Sequence, residues 1–133
     1  MSFGSLTIVI PGEALAYARS GSCGVRRFTP GPQRGYMELV RLYAAREMGG
    51  REPTLLPIRL ELSVEYLIPK SWTKERAERA QWKKSKPDAD NLCKIVEDAL
   101  SHIVYHDDAQ IAALIVQKFY GHIAQSTITI TEM

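Results

Sequence analysis

Residues 86–110 read KPDADNLCKIVEDALSHIVYHDDAQ, and how this stretch folds decides the rest of the chain. From Pro87 to Gln110 it carries six of the chain's fifteen carboxylates (Asp88, Asp90, Glu97, Asp98, Asp107 and Asp108) against Lys94 alone. The other sixteen of the seventeen Lys and Arg residues face only nine acids, so an acidic island sits in a basic surround. That distribution suits metal-assisted work on a polyanion. Hard divalent cations take carboxylate oxygens, whereas phosphates take Lys and Arg.

At about 100° per residue, Leu92, Ile95, Val96, Ala99, Leu100 and Ile103 share one side of a helix and form a core-facing stripe. Asp90, Lys94, Glu97 and Ser101 share the other side, with Asp98 beside them. Pro87 is expected to precede the helix, because its ring cannot be accommodated inside one. Asp88 is then extended and Asp90 is at or near the N-cap. Along an extended approach, residues i and i+2 point the same way, so Asp88 and Asp90 can aim at one cation, with Lys94 one turn further on. Asp107 and Asp108 stand where the next strand begins, and a turn there could bring them back to the helix start. The plain alternatives are an ordinary cap, an ordinary turn and a solvated lysine. Against them stands the concentration of like charge, which is destabilising without a cation.

Working outward, residues 70–86 are expected to form a short basic helix with a tail, flanked by Trp72 and Trp82. Arg76, Arg79 and Lys83 fall on one helical face, and Lys83, Lys84 and Lys86 lead into the acidic island. The segment is therefore placed to deliver a phosphodiester there. Residues 57–67 alternate apolar and polar, the pattern of a strand with one buried face, and residues 6–10 do the same up to Pro11 and Gly12. Residues 111–119 are apolar on both faces, which predicts an interior strand. Residues 120–122 read as a turn and residues 126–131 as a last strand with one wet face. Helical spacing of Met37, Val40 and Met48 predicts a helix over residues 36–48, closed by Gly49 and Gly50. Between the first strand and that helix, residues 13–35 read as a loop whose Arg19, Arg26, Arg27 and Arg34 suit phosphate contacts. The fold class is α+β: a single small domain over residues 1–133, with a mixed β-sheet and helices packed on one face.

With 133 residues, 45% hydrophobic and 24% charged, the chain has the composition of one globular domain. No apolar run approaches the roughly 20 residues that cross a bilayer, and no secretory leader is evident, so a cytoplasmic protein is expected. Cys23 and Cys93 are expected as separate thiols. His102 and His106 flank Asp107 and are expected at the surface or just outside the site, because their spacing with the cysteines does not make a zinc pair.

The ordered set D-A-D-N-L-C-K (88–94), E-D-A-L (97–100) and D-D-A-Q (107–110), followed by an apolar strand, resembles the signature of the RusA family of Holliday junction resolvases, D-x-D-N-L-x-K, D-A-L and D-D-x-Q. The match covers residues 86–110 closely, and the ending T-I-T-I-T-E-M is similar too. Members of that family often carry a W-[ST]-K-x-[KR] helix before the motif, as here at Trp72. Residues 11–19, PGEALAYAR, depart from the Pro-Pro-Ser-x-Asn type of loop that follows the first strand in many members.

The resemblance implies a RusA-like fold and a Mg²⁺-dependent endodeoxyribonuclease, with Mn²⁺ able to substitute. Such an enzyme resolves four-way DNA junctions by paired symmetric nicks in recombination and repair. Asp88, Asp90 and Asp108 are then the expected metal ligands, and Lys94 stabilises charge at the phosphate. Arg76, Arg79, Lys83, Lys84, Lys86, Arg26 and Arg27 are the expected DNA contacts. A homodimer of bacterial, or prophage, origin acting on branched DNA without any membrane follows from the same likeness. The competing expectation is a non-catalytic, structure-specific DNA-binding protein whose carboxylates only cap and turn.

Overall fold

The computed structural model describes residues 2–16 and 31–133. The elements are β1 (Ser5–Pro11), α1 (Gly31–Met48), β2 (Ile58–Leu67), α2 (Lys74–Arg79), α3 (Ala89–Leu100), a 3₁₀ turn η1 (Asp108–Gln110), β3 (Ile111–Gly121) and β4 (Gln125–Glu132). The four strands form one mixed sheet in the order β1-β4-β2-β3, with β4 antiparallel to both of its neighbours and β3 parallel to β2. A parallel neighbour needs a long crossover. Here it consists of α2, α3 and η1, so residues 68–110 run from the end of β2 back to the start of β3.

Alternation along the strands assigns the faces. Ile58, Leu60, Leu62, Val64 and Tyr66 on β2 point into the core together with Leu6, Ile8 and Ile10 on β1 and Ile128 and Ile130 on β4. On α1 the buried stripe is Tyr36, Val40, Ala44 and Met48, and on α3 it includes Leu92, Ile95, Val96, Ala99 and Leu100. Each fully buried Leu or Ile contributes about 1.5–3 kcal/mol relative to exposure. The opposite face of the sheet carries Thr7, Arg59, Glu61, Thr127 and Thr129, so both long helices lie on one face, as the α+β reading required. One buried polar pair crosses the core: the Tyr36 hydroxyl and Ser126 Oγ are 2.8 Å apart.

Several expectations need correction. The helix over residues 36–48 begins earlier, at Gly31, so Arg34 lies on its first turns and not in a loop. The strand from Ile111, expected in the interior, is an edge strand. One side of it meets the core beneath α3, and its free edge is partly closed by the tail of α2, where Trp82 bridges Phe119, Lys83 N–H donates to Lys118 O (3.0 Å) and Tyr120 N–H donates to Gln81 O (2.8 Å). Leu114 and Ile115 stay about half exposed. That strand also continues through Gly121, and the turn falls on residues 122–124, which arch over the end of β2 to reach β4; there Ile123 N–H donates to Glu65 (2.9 Å).

A further correction concerns the basic segment. α2 is only six residues long, with Thr73 as N-cap and Ala80 already extended. Arg76 and Arg79 share this helix, but Lys83 lies on the extended tail. The central helix ends at Leu100, and His102 turns the chain with a positive φ of 69°. Ile103 therefore packs on the core from the turn and not from the helix. Arg26 and Arg27, with Arg19 and Cys23, lie outside the described residues.

Candidate metal and DNA site

Pro87 delivers the chain to α3, and Asp88 is its N-cap, with φ −69° and ψ 142°. Asp90 is thus one residue inside the first turn and not the cap. The rule that i and i+2 point alike holds only along extended chain, so it does not orient this pair. Asp88 makes no side-chain capping bond to the helix. Its Oδ2 lies 3.1 Å from Lys86 Nζ, with a third of the side chain exposed. Asp90 is exposed.

Lys118, on β3, supports the same turn from beneath. Its ammonium donates to the backbone carbonyls of Ser85 (2.8 Å) and Pro87 (2.7 Å), the residues that set the direction of Asp88. Burial first, and the charge of Lys83 next, pull the Lys118 pKa below the ordinary lysine value. Sequence reasoning missed this residue, whose only signal was a lone lysine in an otherwise apolar strand. Lys83 lies between the rings of Tyr66 (5.1 Å) and Tyr120 (5.2 Å) and donates to Ser85 Oγ (2.9 Å). It fixes the tail as much as it offers charge.

At the far end of the crossover, η1 is built by a capping box. Asp107 Oδ1 accepts from Ala109 N–H (3.0 Å), and Gln110 Oε1 accepts from His106 N–H (2.8 Å) and Asp107 N–H (2.9 Å). Gln110 Nε2 donates to Thr54 O (2.9 Å) and Leu56 O (3.0 Å), which ties the turn to the chain before β2. The Ala109 hydrogen bond, above all, holds the Asp107 carboxyl below its usual pKa. Asp107 and Gln110 are therefore the scaffold of the D-D-A-Q motif, and Asp108 is the carboxylate it presents.

Asp108 meets α3 through Lys94. The lysine ammonium lies 3.4 Å from Asp108 Oδ2 and 3.5 Å from Asp98 Oδ1, one turn along its own helix. Asp98 chiefly, then Asp108, raise the Lys94 pKa. The turn after α3 thus does bring Asp108 back to the helix, though to its middle at Lys94. Glu97, Asp98, Ser101, His102, His106, Asp107 and Asp108 line an acidic hollow of about 260 Å³ there. His102 and His106 lie exposed on its rim.

The donor set has the chemistry of a hard-cation site: partly exposed carboxylates and, among the described residues, no available thiolate. Cys93 is buried and free, it donates to Glu97 (2.7 Å), and burial with that neighbour pushes its pKa up to about 12. Geometrically, no three His, Cys, Asp or Glu side chains among the described residues are grouped so as to hold a metal ion. Lys86 on Asp88 and Lys94 on Asp98 and Asp108 already relieve part of the carboxylate repulsion.

A profile of the family described as Endodeoxyribonuclease RusA matches residues 11–131. The chain belongs to the RusA endodeoxyribonuclease family. Two relatives are similar to this RusA-family chain. An uncharacterized protein of Bacillus subtilis (strain 168), YqaN, is 32% identical over 133 residues, covering 94% of this chain and 90% of that one. A protein named crossover junction endodeoxyribonuclease rusA, from Lactococcus phage r1t, is 34% identical over 79 residues, covering 59% of this chain and 56% of its own. Among the described residues of this RusA-family chain, no helix is long and apolar enough to cross a membrane.

Proposed function

We propose that this chain is a Mg²⁺-dependent, structure-selective endodeoxyribonuclease that resolves four-way DNA junctions by paired nicks, in recombination and repair. Membership of an endodeoxyribonuclease family supports it most. The single structural observation that carries it is that the crossover returns Asp108 to α3, 3.4 Å from Lys94, so that a carboxylate distant in sequence meets the helix beside the lysine expected at the phosphate.

Asp88, Asp90 and Asp108 would hold Mg²⁺, with Mn²⁺ as a substitute. A cation held there would lower the pKa of a bound water and offset charge on the leaving oxygen. Lys86 lies against Asp88 and Lys94 against Asp108, and either ammonium would be available to a phosphate brought to those carboxylates. Lys94 would stabilise the extra negative charge at the phosphorus. Arg76, Arg79, Lys84 and Lys86 are exposed along the path to Asp88 and would grip the backbone, and Lys83 holds that path in place. A junction has two-fold symmetry, so a C2 dimer offering two equivalent sites fits paired nicks. The sources of the two relatives support a bacterial or prophage origin.

The test is cleavage of a synthetic four-way junction with Mg²⁺ or Mn²⁺. Wild type is expected to nick opposed strands, whereas Asp88→Asn, Asp90→Asn and Asp108→Asn are expected to lose cleavage and keep binding. A wild type that binds the junction but cleaves with neither metal would instead be a DNA-binding protein without nuclease activity.

A further inference from the structure

Beside the approach to Asp88 lies an open cleft of about 650 Å³ that the phosphate-gripping role does not use up. Trp72, Trp82 and Tyr120 supply its rings and Arg76, Arg79 and Lys84 its charge, and no Asp or Glu among the described residues lines it. Its volume is that of a small-ligand site.

The three rings are not equivalent. Trp72 packs edge-on to Tyr120, with centroids 4.8 Å apart, and the Arg76 guanidinium lies 3.9 Å over its ring, so both have partners. Trp82 is the exposed member, at 58%. An exposed indole is ordinarily a liability, but this one is presented on fixed backbone. The bridge to Phe119 and the hydrogen bonds of Gln81 and Lys83 to β3 hold residues 81–83 against the sheet. An intact duplex shows phosphates and groove edges along its length and hides its ring faces, so contacts to a duplex need no such platform. Unstacked bases do show them, and aromatic rings with adjoining Arg or Lys are how proteins hold single strands.

The cleft also ends close to the chemistry. Ser85 lines it and lies three residues before Asp88, at most about 11 Å along extended chain. Even at the duplex spacing of about 3.4 Å per nucleotide, that distance spans at most about three nucleotides.

We propose that this cleft receives a nucleobase freed from pairing near the branch point, its ring on the Trp82 indole and its phosphates on Arg76, Arg79 and Lys84. The inference rests on DNA being the substrate. It adds that the chain recognises unpaired bases next to the scissile phosphate and not duplex arms alone.

The experiment uses the full chain in EDTA, so that binding is read without cleavage. The probes are an eight-residue oligodeoxythymidylate, a paired duplex, and a four-way junction carrying 2-aminopurine at the branch. Wild type is expected to quench the 2-aminopurine and to bind the oligodeoxythymidylate. Trp82→Ala is expected to lose the quenching and to weaken oligodeoxythymidylate binding by about 5- to 150-fold, with duplex binding changed less than about 2-fold. Trp82→Phe, which keeps a ring, is expected to restore both, and unchanged thermal melting shows that the variants fold. Equal quenching and binding by Trp82→Ala, or an equal loss on duplex, overturns the proposal. Conversion of a dimer to monomers by Trp82→Ala in sedimentation also overturns it, because the indole would then be covered by a second copy of the chain. The two readings fail separately: junction cleavage by wild type with a silent Trp82→Ala rejects only this one, and Trp82-dependent binding without cleavage rejects only the nuclease.

Discussion

Lys118 Nζ donates to the carbonyl oxygen of Pro87 at 2.7 Å, so a lysine of the edge strand fixes the residue just before Asp88. A second bond to Ser85 O at 2.8 Å makes the support two-pronged. The candidate site is thus built from two ends of one crossover, with Lys118 bracing the first and Gln110 the second.

Removing that brace moves Asp88 without touching it. Lys118→Met is expected to lower the junction cleavage rate by about 10- to 100-fold, the usual cost of losing a partner that orients a metal ligand. Binding of the uncleaved junction should change little, and Mn²⁺ affinity should fall in parallel with the rate. A rate equal to wild type in single-turnover assays would show that Asp88 needs no such support.

Lys94 competes for the carboxylates that a cation would use. Lys94→Ala is therefore expected to tighten Mn²⁺ binding, measured by calorimetry on the free protein. The same change should slow cleavage by about 100-fold or more through lost charge stabilisation at the phosphate. Opposite movements of metal affinity and rate are the signature; weaker Mn²⁺ binding would mean that Lys94 organises the carboxylates instead of competing for them.

Cys93 offers a pH-dependent readout. Its folded pKa lies near 12 against an ordinary value of 9.0. A raised acid pKa gives stability that is complete below the unfolded value and lost as pH rises through the folded one. Between about pH 9 and 12 wild type should lose stability more steeply than Cys93→Ala, as followed by urea unfolding. At pH 8, iodoacetamide should leave the Cys93 peptide unlabelled until the protein is denatured, by mass spectrometry.

The Tyr36–Ser126 bond joins α1 to β4 inside the core, with both residues buried. Ser126→Ala leaves a buried hydroxyl without its partner and should cost about 1–3 kcal/mol of stability in denaturant melts. Tyr36→Phe combined with Ser126→Ala should recover much of that loss, since both polar groups are then gone. A double variant no better than Ser126→Ala would show that the cost is packing.

Periodicity and punctuation in the sequence were enough to place nearly every element and to choose its buried face. Ile58 to Tyr66 alternate, Leu92 to Leu100 recur at helical spacing, and Pro87 starts the central helix, because each signal acts between near neighbours in the chain. The order of charges likewise singles out Asp88, Asp90, Lys94 and Asp108 as candidates, in a pattern that resembles the family's motif. Tertiary structure alone decided that β3 lies at an edge, that Lys94 faces Asp108 across the crossover, that Lys118 holds the carbonyls of Ser85 and Pro87, and that Trp82 is fixed beside Phe119. Those facts depend on pairings between segments distant in sequence. An apolar strand looks the same whether a second strand or the tail of a helix closes its outer edge.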